Sequence, residues 1–163
     1  MLFRSYRHVQ VGYNFRLTDI ASALGRVQLS KLPASVRRRR QNARILSRGL
    51  ADLPGIKIPE IGANAEHAFC LYTICLDSNV LGFSREQFRD SLARQGIETA
   101  VHYPLPLHRQ PIFRGYGRDR DFPVSNRLAE CVVSLPVHPE LTRRDLEHIA
   151  WAVRKVARSR NGR

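Results

Sequence analysis

The stretch that most constrains this chain is Val11-Gly12-Tyr13-Asn14-Phe15-Arg16-Leu17-Thr18-Asp19-Ile20, a loop that runs straight into a helix. Ile20, Ala23, Leu24 and Val27 recur at i, i+3, i+4 and i+7, the spacing of one buried helical face. Thr18 or Asp19 stands just ahead of that face and can accept hydrogen bonds from the free backbone N–H groups. Asn14 and Arg16 alternate in an extended lead-in, so both side chains can point the same way. An amide, a guanidinium and a helix N-terminus together suit a phosphate. The plainer reading of the same residues is a turn asparagine and a solvated arginine. Ala21 and Gly25, four apart, form a small-residue face for a second helix, in this chain or in a partner subunit.

At 163 residues the chain can bury one core, and 43% hydrophobic content fits a globular domain. No apolar run approaches the roughly 20 residues that span a bilayer. The N-terminus also lacks the apolar segment of a signal peptide, so a cytoplasmic location with no membrane contact is expected. The net charge of +13 raises nucleic acid as a partner. Yet the excess is arginine spread over the whole length, and the dense run Arg37 to Arg40 covers every side of a helical turn. No aromatic residues interleave with it to stack bases, so a solvated basic surface is the favoured reading. Cys70 and Cys75 are an odd number apart on a predicted strand and face opposite sides, and Cys131 is remote in sequence. Three free thiols are therefore expected. The histidines are not spaced as metal ligands, and no metal is predicted.

In chain order, the first helix is expected to run to about Lys31, with Pro33 breaking it and opening the next. The second helix, from Ala34 to Leu53, carries Val36, Ala43, Leu46, Leu50 and Leu53 inward and ends at Pro54-Gly55. Ile56 to Ile58 reads as a short strand. Phe69 to Leu76 reads as the central strand of a sheet, followed by a turn at Asp77-Ser78-Asn79. Ser84 with Gln87 forms a capping box for a helix that buries Phe88 and Leu92, with Ala93 beside them, and closes at Gly96. Glu98 to Tyr103 reads as a strand that leads into a stiff proline-rich loop, Pro104 to Pro111. A helix follows from Pro123, then a short strand at Val132-Val133. Thr142 with Asp145 caps a last helix that turns Leu146, Ile149, Val153 and Val156 inward. Helices alternating with short strands predict an α/β sandwich on one small sheet.

The stretch from Gly12 to Leu29, reading GYNFRLTDIASALGRVQL, resembles the signature of the DegT/DnrJ/StrS family of sugar aminotransferases, with Asn14, Arg16, Gly25, Gln28 and Leu29 matching in register. The resemblance continues through Glu66 to Tyr72, Gly96-Ile97 to Val101-His102-Tyr103-Pro104, Leu107-His108, Gln110-Pro111, Phe113, Phe122-Pro123 and Ser134 to Pro139. It covers residues 5 to 157 and corresponds to the back half of the family's pattern. The resemblance implies the small C-terminal domain of a fold-type I pyridoxal-phosphate transferase: a small, mostly antiparallel sheet packed with helices, plus a long N-terminal connecting helix. It divides the chain into residues 1–32, a cofactor and dimer-interface segment, and residues 33–163, the small α/β domain.

By the same resemblance, Asn14 and Arg16 contact the phosphate of a pyridoxal 5'-phosphate held by a neighbouring subunit. His102 and Tyr103 stand where the family approaches its nucleotide-sugar substrate; for His102 a backbone-bonded core or edge histidine is the competing reading. His67 and Tyr72 are expected to be structural, and His108 and His138 to anchor loops. Transamination needs a Schiff-base lysine, which the family carries upstream of the GYN motif. Lys31, Lys57 and Lys155 lack a matching context, so no catalytic residue is assigned. Three functions stand open: the C-terminal part of a sugar aminotransferase, partnered as a homodimer or with a large-domain half; a non-catalytic remnant that dimerises or binds nucleotide-sugar; and, least favoured, a basic nucleic-acid-binding module.

Overall fold

The computed structural model describes Gly12 and residues 17–159. Helix α1 spans Asp19–Leu50, β1 Ile56–Lys57, β2 Tyr72–Leu76, α2 Ser78–Leu81, α3 Arg85–Ala93, α4 Pro123–Cys131, β3 Val132–Leu135 and α5 Arg143–Arg158. The strands form one antiparallel sheet in the order β1-β2-β3, with Ile56 opposite Leu76, Tyr72 opposite Leu135 and Ile74 opposite Val133. The stretch read as the central strand, Phe69 to Leu76, supplies the central strand, but only from Tyr72: Phe69 has a positive φ of 50° and Phe69 to Leu71 lie outside the ladder. The expected small sheet packed with helices is what the chain forms.

The alternation of β2 and β3 gives the sheet two different faces. Tyr72, Ile74, Leu76, Val133 and Leu135 point into the main core, where they meet Leu46 and Leu50 of α1, Phe88 and Leu92 of α3, and Leu146, Ile149 and Val153 of α5. Thr73, Cys75, Val132 and Ser134 lie on the opposite face, where Val101 and Cys131 pack with Val132 and Cys75. α1 and α5 approach closely: a Cβ added at Gly49 would stand 2.8 Å from the Cβ of Ala150. Arg154 of α5 ties the crossing by donating to Gly49 O at 2.7 Å and to both Asp52 carboxylate oxygens at 2.6 and 3.0 Å.

The caps follow the sequence. Thr18 accepts from Ala21 N, and the boxes Ser84–Gln87 and Thr142–Asp145 are both closed. Gly96 takes φ +78°, a conformation that favours glycine, where the chain leaves α3.

Several expectations are corrected. Pro33 does not end a helix, and α1 runs through it without a break. Proline removes its own N–H from the ladder and its ring crowds the Leu29 carbonyl, and that carbonyl lies on an exposed stretch where it can tilt toward water. The face formed by Ile20, Ala23, Leu24 and Val27 is exposed rather than buried in the described chain. Asp77-Ser78-Asn79 is the start of α2, because the Asp77 carboxylate caps Asn79 N and Val80 N. Ala93 is exposed. Glu98 to Tyr103 contributes a single bridge, Ala100 to Ser134, on the outer edge of β3.

The thiol expectation also fails, since Cys75 and Cys131 are joined as a disulfide and Cys70 alone remains free. Register explains it. Cys75 sits opposite Val132, so Cys131 is one residue away with a Cα–Cα distance of 5.0 Å, well inside bridging range. Among the described residues no helix is long and apolar enough to cross a membrane.

Candidate functional site

On the second face of the sheet, the proline-rich loop and α4 enclose a cavity of about 800 Å³. It is lined by His102 and Tyr103, by Leu105, Phe113, Tyr116 and Phe122 from the loop that follows them, and by Ser125, Leu128 and Val132. Pro104, Pro106 and Pro111 restrict the loop backbone, and two short 3₁₀ turns, Leu107–Arg109 and Pro111–Phe113, fold it back on itself.

His102 is half-buried at the end of the bridged segment. Its Nδ1 lies 3.4 Å from Ser134 Oγ, which is 3.0 Å from Thr73 Oγ1, so hydroxyls from two strands fix the ring. Tyr103 is exposed at the mouth, its ring edge-on to His102 at 5.7 Å. The structure therefore brings the two predicted residues together at one cavity. His102 is neither a core histidine nor a purely solvent-facing one.

The loop is held from outside. Asp119 accepts from Arg109 Nε and Nη2, each at 2.9 Å, and lies 3.0 Å from His108 Nε2. The hydrogen bonds from Arg109, reinforced by His108, hold the Asp119 carboxyl below the usual carboxylate range, and the same pairing raises the Arg109 guanidinium. His108 also stacks on Phe122 at 4.7 Å, so it anchors the loop as expected. His138 does so through its carbonyl, which accepts from Asn42 Nδ2 at 2.8 Å. His67 is structural too: Nδ1 accepts from Phe69 N at 2.9 Å, and its carbonyl accepts from Arg40 Nε. Tyr72 is buried against Ser47 at 2.9 Å, and burial pushes its phenol up.

Phe113, Tyr116, Phe122 and Leu128 are site residues that sequence reasoning did not single out. Tyr116 and Phe122 are large and exposed despite their apolar area, and three aromatics within ten residues of a proline-rich loop were the available signal. The cavity can take a flat or apolar group between aromatic walls, and an imidazole and a phenol at its mouth can bond hydroxyl or phosphate oxygens. No lysine lines it. Lys31 is exposed on α1, Lys57 pairs with Glu60, and Lys155 lies over the Trp151 ring. Asn14 and Arg16 lie outside the described residues. Among the described residues no cluster of histidine, cysteine or carboxylate groups could hold a metal.

Comparison with known proteins agrees with this geometry. The profile of the DegT/DnrJ/EryC1/StrS aminotransferase family matches residues 2–154. The UDP-N-acetyl-3-dehydro-α-D-glucosamine 3-aminotransferase of Acidithiobacillus ferrooxidans is 32% identical over 94% of this chain and 40% of its own length. The dTDP-3-amino-3,4,6-trideoxy-α-D-glucose transaminase of Streptomyces venezuelae is also 32% identical, over 94% of this chain and 39% of its own. Among solved structures, S. venezuelae DesV in complex with a ketimine intermediate aligns with a TM-score of 0.81 and 31% identity, covering 96% of this chain and 41% of DesV. The chain thus spans about two fifths of the length of the curated relatives it matches. Its fold is that of the corresponding part of fold-type I sugar aminotransferases, and the chain belongs to the DegT/DnrJ/EryC1/StrS aminotransferase family.

Proposed function

We propose that this chain supplies the substrate-facing C-terminal part of a pyridoxal-phosphate-dependent aminotransferase that converts a keto group on a nucleotide-linked sugar into an amine. The observation that carries the reading is the cavity walled by His102 and Tyr103, on a chain whose relatives are named for UDP- and dTDP-linked sugars. The lining aromatics Phe113, Tyr116 and Phe122 offer a surface for a ring, and the His102 imidazole and the Tyr103 phenol stand beside them as groups of the type that bonds sugar or diphosphate oxygens. Asn14 and Arg16 are assigned to the cofactor phosphate, across a dimer, in the cytoplasm.

The described residues by themselves do not fit a covalently held cofactor, because none of the three lysines reaches the cavity. The lysine and the acid for the ring nitrogen belong to the remaining three fifths of the family's length, on the same or another polypeptide. The exposed apolar face of α1, with Ile20, Leu24 and Val27, supports an association of this kind.

The test is a calorimetric titration with UDP-N-acetylglucosamine and, separately, dTDP-glucose. His102→Ala and Tyr103→Ala should each weaken binding by roughly tenfold, the value of one lost polar contact. Unchanged affinity in both variants overturns the substrate assignment. Borohydride reduction after addition of pyridoxal phosphate should leave no stoichiometric adduct on Lys31, Lys57 or Lys155; an adduct at one of them would place a complete cofactor site in this chain.

A further inference from the structure

We propose a second ligand site, for a phosphate or diphosphate group, in the cleft between α1 and the first turn of α5. The inference rests on charge and geometry there and not on the aminotransferase reading. The cleft has a volume of about 350 Å³; Arg38, Arg44, Arg48 and Arg143 line it, with Gln41 and Asn42 between them, and no carboxylate does. It opens on the helical side of the sheet, away from the cavity of His102 and Tyr103.

The four arginines put four positive charges on the lining of one cleft, three of them on α1. Among the described residues, Arg38, Arg44 and Arg48 have no carboxylate within ion-pair distance; only Arg143 has one, Glu147, at 2.8 Å. Arg44 and Arg48 are four apart on the same helix, the spacing at which like charges oppose each other. The nearest acid of the α5 first turn, Asp145, is committed to the cap, its Oδ2 accepting from Thr142 N at 2.8 Å and Thr142 Oγ1 at 2.7 Å. The dipole of α5 places its positive end at the same opening.

The cleft is also preorganised. Arg38 is held by Pro139 O at 3.3 Å from Nε and Leu141 O at 3.2 Å from Nη2, which orients its guanidinium before any ligand arrives. Asn42 is 1% exposed and donates to His138 O at 2.8 Å, which fixes the floor of the cleft beside Arg38. A planar fork matches phosphate oxygens with two parallel bonds, and several arginines on one cleft favour a polyanion over chloride or a monocarboxylate. The volume suits a small phosphate ester or diphosphate.

The probe is inorganic pyrophosphate, titrated calorimetrically into the full chain at about 100 mM salt, where long-range attraction is largely screened. One saturable site is expected. The R44Q/R48Q pair should weaken it roughly tenfold or more, whereas R94Q/R127Q, which removes the same charge elsewhere on the surface, should change it by less than about twofold. Far-UV circular dichroism checks that both variants remain folded, since all four positions are exposed. Pyrophosphate binding that R44Q/R48Q leaves intact and His102→Ala abolishes would place the site in the sugar cavity and overturn the proposal. Absence of saturable binding, equal loss in both double variants, or a single-stranded oligonucleotide that binds through Arg44 and Arg48 and is not displaced by pyrophosphate would overturn the proposal.

Discussion

Residues 19–34 and 35–50 of α1 carry apolar side chains at the same helical spacing, yet they meet opposite environments. Ile20, Leu24 and Val27 are 77%, 63% and 55% exposed, while Ala43, Leu46 and Leu50 are 1%, 0% and 0% exposed. Both halves belong to one continuous helix, and Pro33 between them leaves it intact. The difference teaches that a 3.6-residue period states that a face is built for burial, not what buries it. The second half finds α5 and the sheet inside this chain. The first half matches a family whose members are about two and a half times as long, and its partner surface is not among the described residues.

The sharpest way to break this comparison is to delete the same side chain in each half. Leu46→Ala should cost about 2–5 kcal/mol, because it removes a fully buried leucine from the contact of α1 with α5. Leu24→Ala should stay within about 0.5 kcal/mol of the parent, because little contact is lost. Urea unfolding of the two variants decides it. A Leu24→Ala penalty near that of Leu46→Ala would mean that the first half is already covered in solution, as by a second copy.

Glycine sharpens the comparison further, since one substitution should change sign along the helix. At Gly25 an added Cβ meets nothing within 4 Å, so Gly25→Ala should stabilise the chain by about 0.5–1 kcal/mol through helix propensity. At Gly49 the same methyl stands 2.8 Å from Ala150 Cβ, an atom fixed to its backbone, so α1 and α5 must separate. Gly49→Ala should therefore destabilise by about 1–3 kcal/mol despite the better propensity. Two melting curves test this, and a shift of the same sign in both would remove the close helix crossing from the account.

Legibility follows the same division. Caps and core stripes were readable because they are local: Ser84–Gln87, Thr142–Asp145 and the Leu146, Ile149, Val153, Val156 face are each decided within one or two turns. His102 and Tyr103 could be placed together because they are adjacent and match a motif. That Phe113, Tyr116 and Phe122 line one cavity with His102 is not legible, because it depends on contacts within the loop such as those of Asp119 with Arg109 and His108. The disulfide was missed for a related reason. Strand pairing places Cys75 beside Cys131 across 56 residues, and no local pattern reports a register. Exposure of the first half of α1 was illegible in principle, since the sequence pattern of a face covered by its own chain and of one covered by another is the same.

The smallest expected effect lies at the join of the buried half of α1, where Arg154 grips Gly49 O and the Asp52 carboxylate. Hydrogen bonds from Arg154 lead the causes that hold the Asp52 carboxyl at about 2, against an ordinary 3.8. A carboxyl whose folded value is depressed binds protons more readily when unfolded, so its contribution is fully present above pH 3.8 and is lost as pH falls toward about 2. The pair is open to solvent, with the Asp52 side chain 65% exposed, so the contribution is modest and salt should weaken it. Asp52→Asn should accordingly melt slightly below the parent at neutral pH, with a gap that narrows between pH 3.8 and about 2 and shrinks in high salt. Thermal melts of both proteins across that range check it. Curves that run parallel down to pH 2 would show that Arg154 holds α1 through the Gly49 carbonyl alone, and that close helix packing rather than charge fixes the buried end of α1.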